Sequence, residues 1–327
     1  MKTKEALLKI LADNKGRFIS GETLSEKLKI SRSAVWKHIE GLRKEGYMIN
    51  AVTRRGYKMG VHQDVYNRHA IASQLNTTVF GRNLIFYDEI DSTNNELKRL
   101  AANGAAEGTV VVAEAQSCGR GRRGRAWNSK PGLGIYMSVL LKPDIAPEYV
   151  QVITLAASSA VCSAITPFID IKPGIKWPND ILIENKKVCG ILTEMSAEPE
   201  KVHSIIVGIG INVNHREDDF CEELKNTATS LRCFSKSDIS RCMLAARVLE
   251  ELESLYLDFV LNKSADKLLN IWRCFSVTIG YDIIIYRNDK AIKARALDVA
   301  DNGNLLVQTQ DGRRQLISSG EISIRLT

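Results

Sequence analysis

Three changes of pattern along this 327-residue sequence predict an α+β protein with three domains. The first sixty residues combine short amphipathic helical segments with a strong basic excess. A longer middle region mixes short apolar strand patterns with helices, and from Ser276 onward the pattern becomes five short strands joined by tight turns. These observations predict domains at residues 1–62, 63–275 and 276–327.

The first sixty residues predict three short helices followed by a hairpin. Ser20 and Ser31 stand where the N-caps of the second and third helices belong, and the link between these helices is only a few residues long. Two short strand patterns then form a hairpin with Arg54 and Arg55 at its tip. This order of elements is that of a winged helix-turn-helix.

The distribution of charge indicates that nucleic acid is the partner of this region. The whole chain carries 45 Lys and Arg against 38 Asp and Glu, a net charge of +7. Residues 1–60 hold 14 basic and 6 acidic side chains, so they carry +8 and the rest of the chain −1. A small helical docking module with solvated lysines is the alternative. The predicted DNA contacts are Arg32, Ser33, Trp36 and Lys37 on the recognition helix and Arg54 and Arg55 on the wing.

The middle region predicts a mixed sheet rich in antiparallel strands, because consecutive strand patterns are separated by short turns, as around Asn185-Lys186-Lys187. Residues 61–82 are predicted to form a helical connector into this region. The predicted strands are 84–87, 109–115, 134–141, 175–177, 181–184, 188–195 and 202–213, and the predicted helices are 93–102, 147–165 and 239–259. After residue 276 the turns at Asn288-Asp289, Asp301-Asn302-Gly303 and Asp311-Gly312 predict a small β-barrel.

The segment from Gly119 to Trp127 holds three glycines and four arginines in its first seven residues and cannot build a core. Glycine lets backbone N–H groups approach an anion closely, and arginine adds forked donors with permanent charge. The spacing matches the dinucleotide-binding fingerprint, but turn residues rather than a helix follow it, so we interpret that match as accidental. We expect a flexible lid over a phosphate-rich ligand, and a solvated basic loop is the alternative.

Three further segments carry polar groups suited to a ligand, and each has a purely structural alternative. Lys176 to Asp180 combines a cation, an aromatic ring and two polar groups, with Lys187 on the next strand, but an ordinary Asx turn has the same pattern. Gly208 to Asn214 places two glycines on one strand face, which suits a flat ligand or a bulge. Asp91 to Asn94 suits a urea-like or amide ligand, or only a helix N-cap, and Gln116 adds another amide.

Other classes of site are not indicated. No Ser/His/Asp, Cys/His or paired-carboxylate pattern stands out, which argues against hydrolytic covalent catalysis. Seven cysteines without a C-x-x-C pair and five scattered histidines suggest neither a disulfide framework nor a metal-ligating set. No stretch reaches the ~20 apolar residues of a membrane span and no signal peptide is evident, so we expect a cytoplasmic protein. The polar segments instead suit charge that develops on a transferring nucleotidyl group.

In this order, the segments resemble the biotin protein ligases, specifically the bifunctional type that also represses the biotin operon. The resemblance covers almost the whole chain and rests above all on the pair G-R-G-R-R-G-R-x-W and K-W-P-N-D. It implies a winged helix-turn-helix, a class II synthetase-like central domain and an SH3-like C-terminal barrel. It further implies formation of biotinyl-5′-AMP from biotin and Mg²⁺-ATP, transfer of biotin to a lysine of the biotin carboxyl carrier protein of acetyl-CoA carboxylase, and repression with the adenylate as corepressor.

The resemblance also implies residue roles and partners. Lys187 and Arg122 would be catalytic, and Asp180 would support Mg²⁺ or orient its neighbours. Operator DNA and, in the adenylate-bound state, a second copy of the chain would be partners. A catalytically dead, ligand-sensing repressor and a lipoate ligase are the alternatives. The implied biotin-binding residues are Ser92, Thr93, Asn94, Gln116, Arg120, Gly121, Arg122 and Lys187, and the implied nucleotide-binding residues are Arg120, Arg122, Asn179, Asp180 and Asn212.

Overall fold

The computed structural model describes residues 2–14, 16–44, 47, 49–53, 55–59, 64–287, 290–318 and 323–326. Arg54 of the predicted wing and the turn predicted at Asn288-Asp289 lie outside the described residues. The chain divides into two compact units, residues 1–67 and residues 68–327.

The N-terminal unit has three helices and an antiparallel hairpin, as predicted. Ser20 Oγ accepts a hydrogen bond of 3.0 Å from the N–H of Thr23, and Ser31 Oγ accepts one of 3.2 Å from Ala34, so both expected caps are present. The elements are α1 (Lys2–Asp13), α2 (Gly21–Leu28), α3 (Arg32–Lys44), β1 (Ile49–Val52) and β2 (Gly56–Met59).

All five elements of this unit contribute to its core or flank it directly. Ile19 exchanges two backbone hydrogen bonds of 2.8 Å with Tyr57, so the segment before α2 pairs with the hairpin. The apolar stripe predicted for the third helix faces inward, because the periodicity of 3.6 residues gathers its members on one side. The buried core residues are Leu7, Leu11, Ile19, Leu24, Val35, Ile39, Leu42, Tyr47, Ile49 and Met59.

The second unit is built on a seven-stranded mixed sheet with the strand order β3-β4-β5-β9-β8-β7-β6. β3 and β4 run parallel, and the other neighbouring pairs are antiparallel. The predicted antiparallel-rich mixed sheet is therefore confirmed. The strands are β3 (Leu84–Ile90), β4 (Val110–Gln116), β5 (Gly134–Leu141), β6 (Gly174–Lys176), β7 (Asp180–Ile183), β8 (Lys186–Glu198) and β9 (Lys201–Asn212).

Helices cover this sheet, and one of them forms its central support. With its flanking turns, the segment Pro147–Phe168 is long and apolar enough by composition to span a membrane, but 72% of that apolar window is buried inside the protein, as in a core helix. Within the described residues it is the one helix that meets this criterion. The helices are α4 (Arg68–Ala72), α5 (Thr93–Ala102), α6 (Val150–Ile165), α7 (Arg241–Asn262) and α8 (Asp266–Phe275), the last of which was not predicted.

The prediction of a helical connector over residues 61–82 is wrong for most of its described length. Only α4 is helical there, and turns follow it up to β3. Glu253 of α7 accepts backbone hydrogen bonds of 2.6 to 2.7 Å from Thr78, Val79 and Phe80. Because these N–H groups find a carboxylate, they need no helical carbonyl partner.

The C-terminal part forms a five-stranded antiparallel sheet that packs against the central domain through Trp177. Trp177 is 1% exposed, its N–H donates to Thr278 Oγ1 at 2.9 Å, and its Nε1 donates to the carbonyl of Gly303 at 3.1 Å. The aromatic ring of the 176–180 segment therefore joins two domains. The strands are β10 (Asp282–Arg287), β11 (Lys290–Val299), β12 (Leu305–Thr309), β13 (Arg314–Ile317) and β14 (Ser323–Leu326).

Candidate ligand-binding cavity and DNA-binding surface

A cavity of about 1050 Å³ lies between the Arg/Gly loop (residues 119–127), the start of α5 and the strands β7, β8 and β9. This volume suits a ligand at or above drug size. Every residue that the sequence predicted to bind biotin or nucleotide lines this one cavity. These residues are Ser92, Thr93, Asn94, Gln116, Arg120, Gly121, Arg122, Asn179, Asp180, Lys187 and Asn212.

One end of the cavity is a network of small polar groups. The backbone N–H of Thr93 donates to Gln116 Oε1 at 2.9 Å. The hydroxyl of Ser138 on β5 lies 2.6 Å from Asn94 Oδ1 and 2.7 Å from Thr93 Oγ1. Ser92 occupies the N-cap position of α5, but its side chain makes no capping hydrogen bond. The segment thus offers hydroxyl and amide groups in fixed orientations, as recognition of an amide-like ligand requires.

Gly208 is required by the position of Asn94. A Cβ atom at residue 208 would stand 2.2 Å from Asn94 Oδ1, closer than van der Waals contact allows. Asn94 Nδ2 in turn donates to Glu194 Oε2 at 2.8 Å and to the carbonyl of Leu192 at 3.3 Å. β9 pairs with β5 in unbroken register through this position, so the bulge alternative is wrong.

Two further glycines, Gly190 on β8 and Gly210 on β9, leave room for the ring of Trp127. A Cβ atom would lie 2.6 Å from this ring at residue 210 and 3.0 Å from it at residue 190. Trp127 Nε1 is buried and meets no hydrogen-bond acceptor among the described residues. Lys187 Nζ stands 5.4 Å from the centroid of this ring and 2.6 Å from Asp180 Oδ1. Of the two glycines predicted to face a flat ligand, Gly210 therefore faces the ring of Trp127, an aromatic side chain of the loop itself.

The Arg/Gly loop folds back as an irregular hairpin. Gln116 pairs with Ser129 and Arg120 pairs with Ala126 through isolated bridges. A Cβ atom at Gly119 would lie 2.5 Å from the carbonyl oxygen of Trp127, so only glycine permits this close return of the backbone. Gly119 therefore allows the loop to return along the edge of the cavity that it lines.

Two arginines of the loop bind protein groups that line or border the cavity. Arg120 Nη2 donates to Asn95 Oδ1 at 2.6 Å and stands 3.3 Å from Glu194 Oε1. Arg122 Nη1 donates to Asn179 Oδ1 at 3.1 Å, and burial of the guanidinium lowers the pKa of Arg122. The solvated-loop alternative does not describe these two side chains, because both are directed at protein partners.

The cavity lining also contains residues that the sequence analysis did not single out. Asn212 Nδ2 donates to the carbonyl of Thr229 at 3.0 Å. His215 is 3% exposed and stacks on Phe220, with ring centroids 5.2 Å apart. Burial lowers the pKa of His215 to about 4, so the imidazole is neutral at physiological pH. In the sequence, His215 follows the predicted Asn212 after only two residues, and this closeness was the one signal that could have indicated it. Phe220 and Tyr286 also line the cavity, but no sequence pattern indicated either of them.

The N-terminal unit presents a basic surface. Val35, Ile39 and Leu42 of α3 are fully buried, so the face opposite them points to solvent. Trp36 is 54% exposed, which is unusual for a residue of this size. The predicted DNA contacts on described residues, namely Arg32, Ser33, Trp36, Lys37 and Arg55, are all exposed.

A winged helix-turn-helix followed by a mixed sheet with a cation-lined cavity defines a DNA-binding module joined to a small-molecule-binding domain. Three family models match the chain in this order. They are an HTH domain at residues 3–58, the biotin/lipoate A/B protein ligase family at residues 86–212 and the biotin protein ligase C terminal domain at residues 278–325.

Curated relatives and solved structures agree with these matches. The chain is 42% identical to the bifunctional ligase/repressor BirA of Bacillus spizizenii and 40% identical to that of Bacillus subtilis, in each case over 97% of both chains. It resembles the biotin protein ligase of Aquifex aeolicus in complex with biotin and ATP, with a TM-score of 0.65 and 32% identity over 75% of this chain and 100% of that chain. The chain belongs to the family of bifunctional biotin protein ligases and repressors. The predicted family, enzyme class and three-part fold are thus confirmed.

Proposed function

We propose that this ligase/repressor forms biotinyl-5′-AMP in the cavity, transfers biotin to the biotin carboxyl carrier protein of acetyl-CoA carboxylase and uses the same adenylate as corepressor. The observation that carries the proposal is the convergence of all predicted ligand-binding residues on one cavity under the Arg/Gly loop. The named ligase/repressor relatives and the Aquifex complex with biotin and ATP support it.

We assign the biotin ring system to the polar end of the cavity. The ureido group of biotin has two N–H donors and one carbonyl acceptor, which match the hydroxyls and amides of Ser92, Thr93, Asn94 and Gln116. These groups are held by one another and by β5, so little ordering is needed when the ligand enters. Arg120, Gly121 and Arg122 then close over the ring from the loop.

In the first step, a carboxylate oxygen of biotin attacks the α-phosphorus of ATP, and the bond from this phosphorus to the pyrophosphate oxygen breaks. Both reactants are anions, so their approach requires fixed positive charge. We assign this role to Lys187, between the biotin carboxylate and the α-phosphate, and to Arg122 from the loop. Asp180 lies 2.6 Å from Lys187 and balances its charge before substrate oxygens replace that contact.

We assign the nucleotide to Arg120, Arg122, Asn179, Asp180 and Asn212. Mg²⁺ enters with ATP as part of the substrate. Among the described residues no group of three metal-ligating side chains could hold an ion. Mg²⁺ commonly uses one or two carboxylates together with substrate phosphates, and the carboxylate of Asp180 fits that mode.

In the second step, the ε-amine of a carrier lysine attacks the carbonyl carbon of the mixed anhydride. The bond from this carbon to the AMP oxygen breaks, and the amine loses one proton to solvent. Water would compete with the amine, so the ordered loop has to shield the anhydride until the carrier arrives. Ordering a glycine-rich loop costs conformational entropy, which the contacts to the adenylate must offset.

For repression, we propose that ordering of the loop on the adenylate promotes a homodimer that aligns two winged helices on a two-fold operator. The recognition-helix residues would enter the major groove, and Arg54 and Arg55 would approach the backbone or minor groove.

We place the domains at 1–62, 63–275 and 276–327, supported by family matches that end at residue 58 and begin at residue 278. We place the protein in the cytoplasm.

The deciding experiment is pyrophosphate exchange into ATP with biotin, with lipoate and no acid as controls. We expect exchange that depends on biotin. Exchange that depends on lipoate would favour the lipoate ligase, and biotin binding without exchange would favour the catalytically dead repressor.

Gel shifts on the promoter of the gene that encodes this chain test repression separately. A shift that biotin and ATP do not strengthen contradicts the corepressor role.

A further inference from the structure

The wing of the N-terminal unit carries two cations over one aromatic ring. The guanidinium carbon of Arg55 lies 4.5 Å from the centroid of Phe18, and Lys58 Nζ lies 5.0 Å from the same centroid. Both distances fall within the range in which a cation is attracted to the face of a ring. The ring of the half-buried Phe18 therefore makes a cation–π contact with both charges.

Backbone pairing fixes Phe18 beside the wing. Its neighbour Ile19 exchanges two hydrogen bonds of 2.8 Å with Tyr57 of β2. Gly56 has a φ of +95°, and a Cβ atom there would lie 2.1 Å from the carbonyl oxygen of Ile19. Only glycine permits this contact, so the fold holds the backbone of Phe18 beside the strand that carries Lys58.

Among the described residues, no carboxylate neutralises either cation. Across the part of the chain that the structure describes, Arg55 and Lys58 form no ion pair with a carboxylate. Two positive charges beside one ring raise the local positive potential, which favours an anion next to them. The start of the recognition helix is close by, because a Cβ atom at Gly21 would lie 3.5 Å from Tyr57 Cε2 and 4.0 Å from Arg32 Nε.

We infer that Phe18, Arg55 and Lys58 form a binding site for one phosphate of the DNA backbone. The two cations bind the phosphate oxygens, and Phe18 is a positioning residue that holds both of them on the wing. Such a contact fixes the register of the protein on the duplex and reads no sequence. The inference rests on the proposed DNA-binding function and adds Phe18 and Lys58 to the residues on which that function depends.

The test measures the binding of the full chain to a mixed-sequence 40-base-pair duplex by fluorescence anisotropy, between about 50 and 200 mM KCl. Each neutralised phosphate contributes about 0.9 to the slope of log affinity against log salt. Arg55→Gln and Lys58→Gln should each weaken binding several-fold and lower the slope by up to about one. Phe18→Leu keeps both charges, yet it should weaken binding about as much as either substitution. Phe18→Tyr keeps the ring and should bind like the wild type.

Two controls separate positioning from loss of charge or fold. Lys9→Gln removes an exposed cation of α1 and should leave the slope unchanged. In the background of Arg55→Gln with Lys58→Gln, Phe18→Leu should have no further effect, because the groups that it positions are gone. Thermal unfolding of every variant shows whether the N-terminal unit is intact.

The outcomes are distinguishable. Wild-type chain that fails to bind duplex contradicts the proposed DNA-binding function itself. Wild-type binding with an unchanged slope in Arg55→Gln and Lys58→Gln overturns the phosphate site, whatever Phe18→Leu does. A folded Phe18→Leu variant with wild-type affinity and slope, or an equal loss in the doubly substituted background, overturns the positioning role.

Discussion

The wing and the cavity carry positive charge in opposite ways. Arg55 on the wing has no carboxylate partner among the described residues and lies against a ring. In the cavity, Lys187 pairs with Asp180 at 2.6 Å and Arg120 lies 3.3 Å from Glu194. The difference follows from the ligands, because duplex DNA always brings phosphates to a convex surface, whereas a cavity must be stable both with and without its anions. Arg55 of the wing therefore stays without a carboxylate partner within the described part of the chain, whereas Lys187 and Arg120 of the cavity have protein partners.

The largest effect should come from removing the central cation of the cavity. We expect Lys187→Ala to lower biotin-dependent pyrophosphate exchange by at least about 100-fold, since fixed charge at a developing anion contributes on that scale. Lys186→Ala, one position away on β8, is the matched control and should retain exchange. Equal rates for Lys187→Ala and the wild type would contradict the assigned role.

The buried imidazole of the cavity should make stability depend on pH. The pKa of His215 falls from its ordinary value of 6.5 to about 4 in the folded protein, so the unfolded chain binds more protons between these values. Its contribution is therefore constant above about pH 6.5 and is lost as the pH falls, by up to about 1.4 kcal/mol per pH unit. His215→Phe keeps the stacking on Phe220 and should flatten this dependence.

The measurement is the thermal unfolding of the second unit between pH 7 and pH 5. His203→Gln, which removes an exposed histidine of β9, is the control and should retain the wild-type dependence. If His215→Phe loses stability with falling pH as steeply as the wild type, the imidazole is not the titrating group.

A glycine of the cavity should tolerate no side chain. Gly208→Ala places a methyl group 2.2 Å from Asn94 Oδ1, so Asn94 has to leave its position in the part of the cavity that we assign to biotin. We expect the KM for biotin to rise about tenfold, because a hydrogen bond to a buried amide is worth about 1–2 kcal/mol. The KM for ATP should change less and serves as the internal control. An equal rise for both substrates would indicate general disruption of the domain.

A glycine of the N-terminal unit should, in contrast, accept an alanine side chain. A Cβ atom at Gly41 in α3 meets nothing within 4 Å, and glycine inside a helix costs about 0.5–1 kcal/mol relative to alanine. Gly41→Ala should therefore stabilise this unit by up to about 1 kcal/mol, measured by denaturant unfolding, without a change in duplex binding. Destabilisation would show that the helix is constrained by contacts that the isolated chain does not reveal.

Local patterns predicted the elements that depend on local signals. The bounds 93–102 and 134–141 agree with α5 and β5, because the first has a clear amphipathic repeat and the second a continuous apolar run. α8 was missed although Leu268, Leu269 and Trp272 form its buried side. Asp266 in its first turn and Arg273 in its last turn are local helix signals as well, so the sequence pattern contained enough to predict this helix.

In the cavity, too, some residues could be predicted from local sequence patterns and others could not. Motif residues such as Lys187 could be named because their segments carry unusual combinations of glycine, cation and amide. His215 and Phe220 come from an ordinary polar segment, and Tyr286 comes from another domain. Their place in the cavity is decided by tertiary contacts, which a pattern along the chain does not encode.

The five-residue segment from Lys176 to Asp180 contacts both the C-terminal sheet and the cavity. Its tryptophan is anchored by Thr278 and Gly303 of the C-terminal part, while Asp180 meets the lysine of the cavity. A chain shortened to end before Ser276 would lose both anchors and leave a large ring uncovered beside the cavity. The C-terminal sheet is therefore an integral part of the enzyme, and an exchange of this sheet between relatives has to keep the hydroxyl of Thr278 and the close approach of the Gly303 carbonyl to the indole of Trp177.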